Sequence, residues 1–301
     1  MSIFINQDYQ ALASDLIKDS FYADNSYGGK IQAERRCAEL IVRKILDLPV
    51  TEKVTLGKHP ILNQIATLPH HEFLENAISA LKPFGDTNSH TGDPIPPTQA
   101  EYEKVTDSLF DILAYLPIRY FDKYKFGSNR QVLRSFSMLP PIIRIKVLEF
   151  LYSVDPKNLS VIDKLTLALL KDRGINEAEA WIEDHKAELE LLKAVSEDAY
   201  KDIIEKQGEI IAKAILEAAP ENMYTCCLEN IGRVQNKLNE EGILYKTFEE
   251  ALPYYKEHRD ELDDSKNEEK EFKDMMDFLY LGRKTDGTQE LRDSILVIDM
   301  I

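Results

Sequence analysis

Apolar residues recur at three- and four-residue intervals through most of this chain, and that spacing constrains its fold more than any other feature. The clearest case is the range 30–47, where one helical face carries Ile31, Ala38, Ile41, Val42, Ile45 and Leu46. Similar stripes continue as far as Leu281, separated by glycines and prolines. We therefore expect an all-α fold. One β-like run, 294–301, is an exception, and a docked tail, an intersubunit contact or a truncated element would each explain it.

Capping residues divide the stripes into separate helices. A capping box at 98–101 opens a helix that is expected to stop near Pro117. A second capping motif at 160–163 predicts another helix start. Ser196 is expected to cap a helix that runs to Ala219.

Charge and length together indicate two domains. The 301 residues carry a formal net charge of −16. Residues 1–130 hold 14 Lys+Arg against 17 Asp+Glu, whereas the remaining 171 hold 23 against 36. Since domains commonly span roughly 100–200 residues, we expect a helical bundle over 1–128 and an irregular, acidic helical bundle over 129–301. The join is placed at 127–129, a Gly-Ser-Asn sequence. The acidic domain suits a protein partner and repels nucleic acid outside local basic patches.

Several function classes find little support in the sequence. The N-terminus lacks a secretory signal pattern, and no apolar run approaches the roughly 20 residues of a membrane span. A cytoplasmic protein without a membrane partner is expected. Cys37, Cys226 and Cys227 suit neither a disulfide framework nor a metal site, so reduced, buried thiols are predicted. His71 and Glu75 are one turn apart and could form half a metal site, but a third ligand is not identifiable. We expect no metal and no cofactor.

A basic, aromatic segment over 118–146 is the best candidate for nucleic-acid contact. Its aromatic side chains could stack on unpaired bases while its cations neutralise phosphates. The candidate RNA-binding residues are Arg119, Lys123, Lys125, Arg130 and Arg134. The alternative is that the aromatic residues pack the join between the domains, because most of them fall at core spacing. A second charge run, 260–273, suggests a solvated helix face or a mobile connection.

The sequence over 79–92 provides the candidate catalytic residue, His90. An apolar helical pattern ends there, and small polar residues lead to this histidine. Histidine titrates near neutral pH, so it could act as an acid or base, or bind phosphate when protonated. The alternative is that His90 only hydrogen-bonds the backbone of its own loop.

A family resemblance extends over residues 5–125. The helix containing Arg35, Arg36, Glu39 and Arg43, followed by the Gly-Asp-Thr-Asn-Ser-His sequence at 85–90 and a long capped helix, resembles the HEPN superfamily. The resemblance is greatest to the uncharacterised branch with a Gly-Asn-x-x-x-His-type motif. It implies a helical bundle, frequently dimeric, from bacterial antiviral defence, toxin–antitoxin or RNA-processing systems. Its catalytic members cleave RNA without metal, using a histidine and an upstream arginine in a site composed across the dimer.

The chain departs from the catalytic pattern where that arginine would stand. The corresponding residues are Pro83, Phe84 and Gly85, and the nearest upstream base is Lys82. We therefore expect a non-catalytic HEPN-like interaction protein that binds a partner protein, a nucleotide or RNA. A homodimer is expected, with a protein partner bound through the acidic domain.

The alternative function is a metal-independent endoribonuclease. Its candidate site residues are His90 and Asn88 from the motif, assisted by Arg35, Arg36, Arg43 or Lys82. The arginines lie on a neighbouring predicted helix and could supply the cation that the motif lacks.

Overall fold

The computed structural model describes residues 3–87, 95–242 and 245–285. These residues form fifteen α-helices and no β-strand, which confirms the all-α prediction. The first six helices are α1 (Gln10–Ile17), α2 (Tyr27–Ile45), α3 (His59–Ile65), α4 (His71–Thr87), α5 (Gln99–Lys123) and α6 (Arg130–Phe136). The next seven are α7 (Pro141–Val154), α8 (Leu159–Arg173), α9 (Ile175–Asp184), α10 (Lys186–Leu189), α11 (Glu197–Gln207), α12 (Glu209–Ala218) and α13 (Met223–Glu241). The last two are α14 (Phe248–His258) and α15 (Asn267–Leu279). The β-like run at 294–301 lies outside the described residues.

The helices group into two compact units, and the first unit is discontinuous in sequence. It comprises Met1–Leu139 together with Phe248–Ile301, and the second comprises Pro140–Thr247. This division differs from the predicted boundary at residue 128. The reason is aromatic packing: Phe126 and Phe136 both contact Phe121 of α5, with ring centroids 4.7 and 5.5 Å away, so α6 stays with the first unit.

In the first unit, α5 is the central helix. It packs against α2 and α4, and it also contacts α15. Its fully buried side chains include Leu109, Ile112, Tyr115 and Ile118. The Tyr115 hydroxyl donates to the Pro69 carbonyl oxygen at 2.5 Å, which satisfies a phenol in an otherwise apolar setting.

In the second unit, α8 is the central helix. It packs against α7, α9 and α13. A buried polar contact joins two of these helices, since Asn230 Nδ2 of α13 donates to Asp163 Oδ1 of α8 at 2.9 Å. α11 and α12 follow each other directly and pack together.

Two predicted caps are confirmed. Thr98 and Glu101 form the predicted capping box at the start of α5. The Ser196 hydroxyl accepts the Ala199 N–H at 3.1 Å and caps α11. Within the described parts of the chain, the helices are nowhere both long and apolar enough to cross a membrane.

Three predicted helix ends are wrong. Pro117 lies inside α5, which continues to Lys123. A proline removes one intrahelical hydrogen bond, but packing of the following turn against α15 offsets that loss. α8 begins with Asn158 as its cap in place of Ser160, because the Asn158 side chain accepts two backbone N–H groups. The helix predicted to reach Ala219 is divided at Gly208, which has a φ of +90°.

Candidate functional site on the second helix

The candidate catalytic residues divide into those that the structure describes and those that it does not. Arg35, Arg36 and Arg43 lie on α2. Lys82 lies on α4, but its side chain is outside the description. Asn88 and His90 lie outside the described residues. The candidate site is therefore built from α2 and from the groups that surround it.

Arg43 is held by contacts within the first unit. Its Nη1 donates to the Pro49 carbonyl oxygen at 2.6 Å. Its guanidinium carbon lies 5.8 Å from the centre of the Tyr9 ring, within the range of a cation–π interaction. The side chain thus connects the end of α2 to the turn that follows it and to the N-terminal segment.

Arg35 and Arg36 differ in their surroundings. Arg35 is half-buried in a shallow groove lined by Leu56, Ile78 and Leu81, whereas Arg36 is exposed. Burial raises the pKa of Glu39 on the same helix, although a backbone hydrogen bond from Leu56 and the charges of both arginines act in the opposite direction. This face of α2 is an ionic surface in which Arg36 has the greatest access to solvent.

A buried carboxyl group, Glu34, lies on the inner face of α2. It is 0% exposed. The Thr106 hydroxyl donates to its Oε1 at 2.7 Å, and its Oε2 is buried without a hydrogen-bond partner among the described residues. Burial raises the pKa of Glu34 to about 8, despite the Thr106 hydrogen bond and the charges of Arg283 and Lys30. Glu34 therefore carries a proton at neutral pH.

Arg283 brings positive charge to the same region of the first unit. Its Nη1 lies 3.0 Å from Glu249 Oε1. Its guanidinium carbon lies 4.8 and 4.4 Å from the ring centres of Phe21 and Phe248. The hydroxyl of Tyr22 donates to the same Glu249 oxygen. Arg283 is thus neutralised by Glu249 and anchored between two aromatic rings.

The space next to this cluster is too small for an organic substrate. A cavity of about 40 Å³ is lined by Cys37, Arg283 and apolar side chains of α1, α2, α5 and α15. Since one water molecule needs roughly 10–15 Å³ of such volume, the cavity has room for only a few waters. Burial also raises the pKa of the Cys37 thiol to about 11, so that this thiol is not an activated nucleophile. The buried polar groups next to this cavity can therefore hold a proton, on Glu34, but they leave no room for a substrate.

The sequence contains one signal for the burial of Glu34. The apolar stripe of α2 runs through Ile31, Ala38 and Val42, and Glu34 occupies a position on that stripe. A carboxylate at a core position is rarely buried unless it is paired or protonated. Arg283 gives no comparable signal, because its partners are more than thirty residues away in the chain.

Four of the five aromatic residues of the basic segment are core residues of the first unit, and the fifth, Tyr124, is half-buried. Tyr120, Phe121, Phe126 and Phe136 are all buried. Tyr120 packs against Phe272 of α15 with ring centroids 4.8 Å apart. Burial therefore leaves these four rings no exposed face on which a base could stack.

Three of the five candidate RNA-binding cations have partners in the first unit. Lys123 Nζ lies 2.7 Å from Glu271, and Arg134 Nη1 lies 2.8 Å from Glu261. Arg119 Nη1 donates to the Ile45 carbonyl oxygen. Lys125 and Arg130 are exposed, and Arg130 has interactions of its own.

The acidic run at 260–273 has a structural role in this packing. It includes the first half of α15, where Glu269 is 2% exposed and accepts a hydrogen bond from Asn129 Nδ2 at 3.2 Å. The run is therefore a solvated face only in part: Asp264, Lys270 and Glu271 are exposed, whereas Glu269 and Lys273 are buried. Acidic side chains near α15 neutralise basic side chains of α5 and α6.

The possible metal ligands His71 and Glu75 lie close together, but no third ligand joins them among the described residues. His71 Nδ1 lies 3.2 Å from Glu75 Oε1, as their one-turn spacing predicts. Among the described residues, no group of three or more His, Cys, Asp or Glu side chains is arranged to hold a metal ion. The three cysteines are free and buried, which confirms the prediction of buried thiols. Comparison of the chain with known protein families, with curated proteins and with solved structures found no match.

Proposed function

We propose that this protein is a non-catalytic, HEPN-like interaction protein of a bacterial antiviral defence or toxin–antitoxin type system, acting in the cytoplasm. Its main ligand is a protein, with RNA or a nucleotide as further candidates. The observation that carries the proposal is the engagement of Arg43, which binds the Pro49 carbonyl and stacks over Tyr9. Arg43 held in this way is not available to stabilise phosphate charge, and Pro83, Phe84 and Gly85 stand where the catalytic pattern has its arginine. The exposed Arg36 is the α2 cation that the alternative, endoribonuclease function would have to use.

The pairing of the basic segment supports the same proposal. A single-strand RNA site needs exposed cations and exposed aromatic faces. In the first unit, Lys123 and Arg134 are paired with glutamates, and four of the five aromatic rings of the segment are buried. The ion pairs of Lys123 and Arg134 therefore stabilise the first unit. We assign the contact with a protein partner to a surface of the second unit.

That surface is the outer strip of α12. Ile210 is 88% exposed and Ile211 is 46% exposed. Ile210, Ala214 and Ala218 follow at four-residue spacing, so they share one side of the helix with Ile211 nearby. An exposed apolar strip of this kind is typical of a protein interaction site.

The partner assigned to this strip is a second copy of the chain. If two α12 helices pair antiparallel about a two-fold axis at Ala214, Ile210 of each copy lies opposite Ala218 of the other. A large side chain then packs against a small one, and the alanine at the axis allows the helices to approach closely. The strip is therefore complementary to itself, as the interface of a symmetric dimer must be.

RNA cleavage in EDTA tests the non-catalytic part of the proposal. The parent protein, His90→Ala and His59→Ala are incubated with single-stranded and structured RNA. His59 is the matched control, since it is an exposed histidine at the start of α3. We expect no cleavage by any of the three. Cleavage by the parent and by His59→Ala that disappears in His90→Ala would support the endoribonuclease instead.

Molar mass in solution tests the α12 surface. Light scattering during size-exclusion chromatography at micromolar concentration should give a dimer for the parent and a monomer for Ile210→Glu. Leu191→Glu is the matched control, because Leu191 is 85% exposed in the same unit but lies outside α12. It should remain dimeric. A monomeric parent, or a dimeric Ile210→Glu variant, would contradict the assignment.

A further inference from the structure

An aromatic cluster lies on the surface of the second unit, where α7 and α9 meet. The Trp181 ring of α9 stacks on the His185 ring with centroids 4.1 Å apart, and Tyr152 of α7 packs nearly perpendicular to both rings. His185 Nδ1 donates to the Trp181 carbonyl oxygen at 2.7 Å, which fixes the position of the imidazole. All three side chains are half-buried, so part of the cluster faces solvent.

Carboxylates flank this cluster without basic partners. Glu177 and Asp184 lie four residues before and three residues after Trp181 on α9, so both are its neighbours on the helix surface. The Tyr152 hydroxyl donates to Glu188 Oε2 at 2.9 Å. All three carboxylates are exposed. Among the described residues, none of the three forms an ion pair, so their charge is open to a partner.

A neighbouring group on the same surface shows how such a site holds a cation. Lys186 Nζ lies 4.4 Å from the centre of the Tyr224 ring and 4.0 Å from Glu183 Oε2. The Tyr224 hydroxyl donates to the same glutamate. One ring and one carboxylate thus hold this cation together. Trp181 has the same two kinds of group around it, but no lysine or arginine in the described part of the chain lies over its ring.

We propose that Trp181, with Tyr152 and the carboxylates of Glu177, Asp184 and Glu188, forms a docking site for an arginine-containing basic segment of a partner protein. A guanidinium group stacks on aromatic rings and also pairs with carboxylates through two parallel hydrogen bonds. The formal charge of the chain, −16, attracts a basic segment and repels nucleic acid. The site extends the proposed role as an interaction protein, and it lies outside α12.

Peptide binding to the full chain tests this proposal. The probe is a short peptide in which arginine alternates with serine, and the same peptide with lysine in place of arginine has an equal charge. Because Trp181 is the only tryptophan of the chain, its fluorescence reports binding at the site. In about 0.15 M salt, the arginine peptide should change this fluorescence saturably. It should bind about two- to five-fold more tightly than the lysine peptide.

Two double variants separate this site from general attraction between opposite charges. Glu177→Gln with Asp184→Asn removes two carboxylates beside Trp181. Glu197→Gln with Glu205→Gln is the matched control, because it removes two exposed carboxylates of α11 in the same unit. Only the first pair of substitutions should weaken binding of the arginine peptide, by about two- to ten-fold. Equal weakening by both pairs, or equal affinity for the arginine and lysine peptides, would overturn the proposal.

The same fluorescence distinguishes the proposed protein partner from other occupants. Ile210→Glu should bind the arginine peptide as the parent does, since the site does not depend on the α12 dimer. A single-stranded RNA oligonucleotide should leave the fluorescence of Trp181 unchanged. Saturable quenching by this RNA would assign the rings to base stacking and overturn the proposal. The absence of a saturable change with the arginine peptide would overturn it as well.

Discussion

Replacing Glu34 by glutamine should stabilise the folded protein in mildly alkaline solution and have much less effect in mildly acidic solution. Glutamine has nearly the same shape and carries no charge. In the parent, the buried carboxyl has its pKa raised from 4.5 to about 8. Between these two values the folded protein binds a proton that the unfolded chain releases. The stability of the parent therefore falls as pH rises from about 4.5 to about 8.

The size of this effect follows from the shift. Each pKa unit corresponds to about 1.4 kcal/mol. Because Glu34 is fully buried, solvent screening reduces the effect little. Between pH 5 and pH 8, the stability of Glu34→Gln relative to the parent should rise by on the order of 4 kcal/mol.

The assay is urea unfolding at pH 5, 6, 7 and 8, followed by far-ultraviolet circular dichroism. Other titrating groups are common to both proteins, so they cancel in the difference between parent and variant. Glu72→Gln is the matched control, because Glu72 is an exposed glutamate on α4, and its difference from the parent should change little with pH. A difference for Glu34→Gln that stays constant within about 0.5 kcal/mol would refute the buried, protonated carboxyl.

Thr106→Val provides a second test of the same geometry. The Thr106 hydroxyl donates to Glu34 Oε1 and favours the ionised form. Removing it should raise the pKa of Glu34 further. The loss of stability between pH 5 and pH 9 should then exceed that of the parent by up to about 1.4 kcal/mol, and an unchanged loss would contradict the hydrogen bond.

Three further predictions concern packing, ion pairing and thiol reactivity. Gly282→Ala should destabilise by about 2–5 kcal/mol, because φ is +79° and a Cβ would lie 2.6 Å from the Ala13 carbonyl carbon. Gly174→Ala, at φ +91° and ψ 177° with open space, carries the backbone strain alone and should cost about 1–3 kcal/mol. Equal midpoints of urea unfolding for these two variants would contradict the close approach. A double-mutant cycle of Arg134→Met and Glu261→Gln should give a coupling of about 0.5–1 kcal/mol for their 2.8 Å ion pair, and strict additivity would exclude it. The three buried thiols should react with a colorimetric disulfide reagent slowly in the native protein and completely after unfolding, so rapid native labelling would argue against their burial.

The helices could be predicted from the sequence where their causes are local. The apolar stripe of α2 and the capping box of α5 each depend on residues within a few turns, and both are present in the structure. Pro117 shows where local reasoning fails. The turn after it is stabilised by Phe272, about 150 residues away, and no pattern around the proline indicates that contact.

The organisation of the units could not be predicted for the same reason. The sequence predicts a candidate RNA site for the basic segment and, independently, a solvated face for the acidic run at 260–273. In the structure residues 118–139 of the basic segment and the acidic run belong to one unit, where Lys123 pairs with Glu271 and Arg134 pairs with Glu261. Complementary charge is visible in a sequence, but its pairing depends on packing between distant segments.

The candidate site was predictable in part. Placement of Arg35, Arg36 and Arg43 on one helix follows from periodicity, and the structure contains that helix. Periodicity does not show which of the three arginines is held by other groups. The Pro49 carbonyl and the Tyr9 ring lie outside α2, and they contact Arg43 only in the folded chain.

The most direct test of the proposed non-catalytic function is the rate of RNA cleavage by the purified parent protein in EDTA. We expect no cleavage above that of buffer alone, with both single-stranded and structured RNA, and no difference between the parent and His90→Ala. Cleavage by the parent that is abolished in His90→Ala, while His59→Ala retains it, would contradict the account and establish a metal-independent ribonuclease.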